Sequence, residues 1–175
     1  MTKIEVVSNT SPMITLVETL PNGADFLRAS FSKVIIPRTV IDELIIPSTS
    51  KSVKNRPVFK SPEEYLEYYG ATGIIEIKEI EIDDSIPDID TIDAGEAAAI
   101  TLAIQEDKLL LIDEKKGRKV ARNAGLLIRR SPKQLVLSAE DGYITTAEAK
   151  KQLDFLFEVN RIGAKAHQVY WKQLE

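Results

Sequence analysis

The chain reads as an α/β fold with a central parallel sheet and helices on both faces. Two patterns carry that reading. IEVVS at residues 4–8 and KLLLI at residues 108–112 are apolar on both faces, as expected of strands buried between layers. Stretches with apolar residues at helical spacing separate the strands, so successive strands are joined by crossovers rather than hairpins.

After the first strand, Ser11-Pro12 signals a helix start. Ile14, Leu16, Val17 and Leu20 form its apolar face, and Pro21-Asn22-Gly23 stops it. Phe26, Leu27 and Phe31 mark a further short helix. A second strand is expected at residues 33–36, closed by Pro37. A helix over residues 38–45 follows, with Val40, Ile41, Leu44 and Ile45 as its stripe. Residues 46–62, rich in Ser and Lys and punctuated by Pro47, Pro57 and Pro62, read as a long mobile loop. Ser61-Pro62 opens a helix that ends before Gly70.

IIEIKEIEI at residues 74–82 alternates apolar and charged, the period of a strand with one wet face. An acidic linker over residues 83–91 leads to a helix at 93–106. The 108–112 strand ends at Asp113, and a helix over 114–124 stops at Gly125. A last short strand is expected at 126–128. Two or three helices finish the chain, one capped by Thr145 with Glu148 and facing the core with Leu153, Leu156 and Phe157. The C-terminal helices, residues 129–175, are expected to pack on the same core, giving one domain over residues 1–175.

Composition narrows the chemistry. With no cysteine, disulfides and thiolate metal sites are excluded. The one histidine, His167, reads as an ordinary polar residue of the last helix, so a histidine-rich zinc site or a Ser-His-Asp triad has little support. No apolar run is long enough to cross a membrane, and the N-terminus lacks the pattern of a signal peptide, so a cytoplasmic location is expected. No glycine-rich phosphate loop occurs. Tyr65, Tyr68 and Tyr69 read as packing or interface residues, and Trp171 as the anchor of the last helix.

Ligands of open α/β sheets bind beyond the carboxyl ends of the strands. Asn9 and Asp113 follow strands directly, Glu96 lies in the first turn of a helix, and Glu43 lies on the helix after the second strand. Together they can line one cleft, and a set of oxygen donors without histidine or cysteine suits a hard cation, Mg²⁺ or Mn²⁺. Each also has a structural reading: Asn9 and Asp113 as helix caps, Asp93 to Glu96 as a capping box, Glu43 as a solvated helix residue. From Lys115 to Lys133 the chain has eight basic residues and no acid. Lys115, Arg118 or Lys119, and Arg122 share one face of the helix over 114–124, beginning two residues after Asp113. That stripe suits a phosphate backbone, or serves as a solvated face.

The segments VVSNTSPMITL at 6–16, IPRTVIDEL at 36–44, DAGEAAAITLA at 93–103 and LLLIDEKKGRKVARNAGL at 109–126 occur in this order. Together they resemble the PIN-domain family, in particular its prokaryotic branch of toxin–antitoxin ribonucleases, over about residues 4–128. The resemblance implies a three-layer α/β/α sandwich and an endoribonuclease dependent on Mg²⁺ or Mn²⁺. It implies metal ligation by Glu43, Glu96 and Asp113, with Glu114 as a further acid, and RNA as substrate. It also implies a homodimer and a small antitoxin as partner. Asn9 stands where an Asp is usual. Its amide oxygen can bind a metal but brings no charge, so weakened activity is expected, or a catalytically silent module that binds RNA or protein.

Overall fold

The structure, a computed structural model, describes residues 2–46 and 56–175. Five parallel strands are ordered β3-β2-β1-β4-β5: β1 (Glu5–Ser8), β2 (Lys33–Pro37), β3 (Ile75–Lys78), β4 (Leu109–Leu111) and β5 (Ile128–Arg129). The register pairs Val6 of β1 with Val34 on one side and Leu109 on the other. The chain builds the sheet in one direction from β1 through β2 to β3, then returns to the other side of β1 for β4 and β5. The reversal of strand order therefore falls between β1 and β4.

Side chains alternate across the sheet, as the pleat requires. Val6, Val34, Ile36 and Leu111 enter one apolar cluster, while Val7, Ile35, Leu110 and Ile112 enter the other. The first cluster is covered by α1 (Thr10–Met13) with the π-helical segment Ile14–Thr19 that continues it, α2 (Gly23–Ser30), α3 (Arg38–Ile45) and α4 (Pro62–Tyr68). The helices α7 (Ser131–Glu140) and α8 (Thr146–Glu158) join the same side through Leu135, Leu153 and Leu156, and α9 (Ala164–Gln173) packs against it with Tyr170 and Trp171, followed by buried Leu174. The second cluster is covered by α5 (Ala94–Glu106) and α6 (Lys115–Asn123), which contribute Ile100 and Val120. The expected three-layer α/β/α sandwich is the observed architecture.

Most elements fall where the sequence places them; four differ. The strand expected over 74–82 stops at Lys78, because its sole neighbour β2 ends at Pro37, which pairs with Lys78 and then leads into α3. The last strand lies at Ile128–Arg129 rather than 126–128. Phe157 is 42 % exposed. Ala149, Leu153 and Leu156 already fill the buried stripe of α8, and the Phe157 ring packs instead against His167, 5.0 Å between centroids. The mobile loop expected over 46–62 lies partly in residues 47–55, outside the described residues, but its distal part is tied down. Phe59 is buried against Tyr65, and the Arg56 guanidinium reaches the Glu18 carboxylate, Nη2 to Oε2 2.8 Å.

That Arg56–Glu18 pair is almost wholly buried, with side chains 4 % and 1 % exposed. Tyr65 donates to the same carboxylate at 2.9 Å, and Arg56 also donates to the Leu44 carbonyl at 2.9 Å. Removing one partner leaves an uncompensated buried charge. Arg56→Ala is expected to cost about 3–5 kcal/mol, and the paired replacement Glu18→Gln with Arg56→Met distinctly less. Urea unfolding of the parent and the two variants measures both.

Candidate active site

Four elements deliver polar side chains to the carboxyl end of the sheet, where the strand order reverses. Asn9 follows β1 and extends the ladder by one bond, its N–H donating to the Leu111 carbonyl at 3.1 Å. It sits at the cap position of α1, yet its side chain makes no capping bond. Asn9 is 3 % exposed, and its Oδ1 is buried with no hydrogen-bond partner. An unsatisfied buried amide oxygen costs about 1–3 kcal/mol, so its place here calls for a donor or a cation.

The next two residues each hold an acid. Thr10 donates its hydroxyl to Glu43 Oε2, which brings the α3 carboxylate to the end of β1. Ser11 faces Asp113 at 3.5 Å. Glu43 is therefore half-buried and anchored, not a solvated helix residue. Asp113 does not cap α6 either. Its Oδ1 accepts the backbone N–H of Ser131 at 2.7 Å, and its Oδ2 the Ser131 hydroxyl at 2.7 Å. Oδ1 keeps a further lone pair, whereas Oδ2 also faces the Ser11 hydroxyl.

On α5, Asp93 takes the capping role, accepting the Glu96 N–H at 2.8 Å, which leaves the Glu96 carboxyl to turn into the protein. Two glycines make room for these acids. A Cβ on Gly95 would stand 2.5 Å from Glu43 Oε1, and one on Gly117 would stand 2.7 Å from Glu96 Oε2. The Gly in DAGE and the Gly in KKGR are thus places where backbone must approach a carboxylate.

The acids feel one another. Burial pushes the Glu96 carboxyl up to about 7, helped by Asp93, Glu114 and Glu43. Burial likewise raises Glu43, and Asp93 adds to it, while the Thr10 hydroxyl and the Gly95 N–H pull the other way. Glu114 itself is exposed at the start of α6. As the side chains stand, no group of three or more carboxylates or histidines is gathered to hold a metal ion among the described residues. The donor chemistry nonetheless fits a hard cation: oxygen ligands only, one orphaned amide oxygen, and carboxyls whose anions repel one another.

Of the basic residues expected to meet RNA, Lys115, Lys119 and Arg122 are exposed. Arg118 is half-buried, and its Nε donates to the Asp113 carbonyl at 3.1 Å. Residues beyond 128, to which the sequence assigned no role, also reach the site. Ser131 holds Asp113. Arg161, in the turn after α8, donates to the Ser11 hydroxyl at 2.7 Å and to Thr15 Oγ1 at 3.0 Å, clasping one turn of the helix that follows Asn9. No local pattern marks these residues, because their partners lie 18 to 150 positions away.

Because Glu96 holds its proton more tightly folded than unfolded, its contribution to stability is complete below about pH 4.5 and is lost as pH rises through about 7. Glu96→Gln keeps the neutral form at every pH. In EDTA its stability relative to the parent should rise between these limits and level off above them, by on the order of 2 kcal/mol. Urea unfolding across that range reads the difference.

A family profile described as a PIN domain matches residues 5–168. No curated protein matches the chain. The profile reaches past residue 128, where the resemblance in the sequence ends, and takes in α7, α8 and the start of α9. With this match over most of its length and an all-parallel sheet between two helical layers, the chain belongs to the PIN-domain family, whose fold is that of nucleases.

Proposed function

We propose that the protein is a divalent-metal-dependent endoribonuclease, the toxin component of a toxin–antitoxin pair. One observation carries the reading: the orphaned Asn9 oxygen and the raised Glu96 carboxyl lie at the same end of the sheet as Glu43 and Asp113. Asn9, Glu43, Glu96 and Asp113 would hold Mg²⁺ or Mn²⁺, which when bound supplies a more acidic water and positive charge against the phosphate. The chain's own residues do the rest. Thr10 and Ser131 fix the Glu43 and Asp113 carboxylates, and Asp93 anchors the turn that presents Glu96. Lys115, Lys119 and Arg122 offer exposed positive charge along α6 for the RNA backbone.

Asn9 favours a second reading, a catalytically weak or silent module that binds RNA or protein. A neutral ligand lowers the charge of the site, and charge count sets the affinity of oxygen sites for hard cations. Metal binding separates the two. If the enzyme reading holds, Mn²⁺ raises the melting temperature of the parent protein but not of Glu96→Gln; equal responses would favour the silent module.

Activity gives the direct check. With Mn²⁺ the protein should cleave single-stranded RNA, and Glu96→Gln should cut the rate by at least about 100-fold. Asn9→Asp should lower the Mn²⁺ concentration for half-activity by on the order of tenfold. No cleavage by either the parent or Asn9→Asp would sink the ribonuclease reading. Growth arrest on expression, relieved by a protein encoded beside the gene, would separate a toxin from a nuclease of RNA maturation.

A further inference from the structure

A polar cleft of about 320 Å³ opens beside the acidic residues, between the turn after β4, the start of α7 and the turn after α8. Asp113 and Glu114 line one part of it, and Arg130 and Arg161 line another. Arg161 is engaged with Ser11 and Thr15. Arg130 is not comparably engaged. Among the described residues its side chain makes no hydrogen bond or ion pair, and its Nε is buried with no acceptor. The guanidinium lies over the Tyr170 ring, 5.9 Å from the centroid, which holds the group in place without neutralising it.

Arg130 is also crowded by its own kind. Burial depresses Arg118, and the positive charges of Arg130 and Arg122 depress it further. Arg118 thus feels a guanidinium on either side, and one of these, Arg130, lines a cleft that Asp113 and Glu114 also line. A guanidinium offers five donors in a fixed fork that matches the oxygens of a phosphate. An anion seated against Arg130 would relieve the repulsion on Arg118 and give an unpaired guanidinium an acceptor, while Arg161 offsets the Asp113 and Glu114 carboxylates that line the same cleft.

We infer that this cleft is a phosphate subsite for a nucleic-acid backbone, with Arg130 as its principal ligand and Arg118 and Arg122 reinforcing the field. The inference rests on the ribonuclease reading for the identity of the strand, and it adds a residue from the C-terminal region to those of α6. It places one backbone phosphate next to Asp113.

Binding without cleavage tests it. A short fluorescein-labelled single-stranded RNA is titrated in EDTA at several salt concentrations and followed by anisotropy. Arg130→Gln should weaken binding by about tenfold and flatten the slope of log affinity against log salt by about 0.7, the loss of one phosphate contact. Lys3→Gln removes the same charge before β1, at the opposite end of the sheet, and should change neither. Arg130→Lys keeps the charge and a cation that can reach the Tyr170 ring, so it guards against a folding defect; it should bind more weakly with the slope retained. Parental affinity and slope in both Arg130 variants would overturn the subsite. If those variants bind normally while Arg122→Gln binds weakly, the subsite falls and the ribonuclease reading stands. If the parent protein binds no RNA, both fall.

Discussion

The site depends on a conflict between topology and charge. A parallel sheet whose strand order reverses between β1 and β4 brings the ends of those strands together, and here both ends lead into polar residues. Glu43 and Glu96 arrive at the same edge from α3 and α5. Burying several carboxyls in one place is unfavourable unless each is held or neutralised. Thr10, Ser131 and Asp93 supply the holding. Neutralisation is incomplete, as the raised Glu96 and Glu43 carboxyls record.

What the sequence reveals of this arrangement depends on the range of the interactions. The helices at Arg38–Ile45 and Ala94–Glu106 were legible because apolar spacing and local caps specify them within a few residues. Asn9, Asp113 and Glu96 could be singled out because each follows a strand or opens a helix, and Glu43 because it lies on the helix after the second strand. Orientation was not legible. Asp93 to Glu96 read as either a capping box or a ligand turn, and the structure divides the work: Asp93 caps, which leaves the Glu96 side chain for the interior. The length of β3 could not be read from its alternating pattern, since the pattern describes one strand and the ladder needs two. The π-helical stretch Ile14–Thr19 has no signature in the sequence either, although its widened turn is where Glu18 meets Arg56.

The C-terminal helices show the same limit more sharply. Their apolar positions announce packing, and they do pack, with Leu135, Leu153 and Leu156 in the larger cluster. Nothing in that pattern distinguishes Ser131 or Arg161 from ordinary polar residues at helix ends. Their roles come from distance bridged, with Arg161 meeting Ser11 across 150 positions of sequence. A segment that reads as a structural appendage therefore completes the wall of the site.

Arg161 also distinguishes two groups of acids, with Glu114 common to both. Burial lowers its affinity for its proton, and Asp113 and Glu114 act in the opposite sense, so those two carboxylates share a cation supplied by the chain itself. Glu96 is raised by burial, Asp93, Glu114 and Glu43, and Glu43 by burial and Asp93. Positive charge from outside would gain most at this second group, on the α3 and α5 side. The two arginines that line the cleft lie on the other side, by Asp113. A backbone phosphate and a divalent cation would then be drawn to neighbouring places rather than compete for one. On the proposed function Asp113 would stand between the two, reached by the cation on one side and by the arginines on the other.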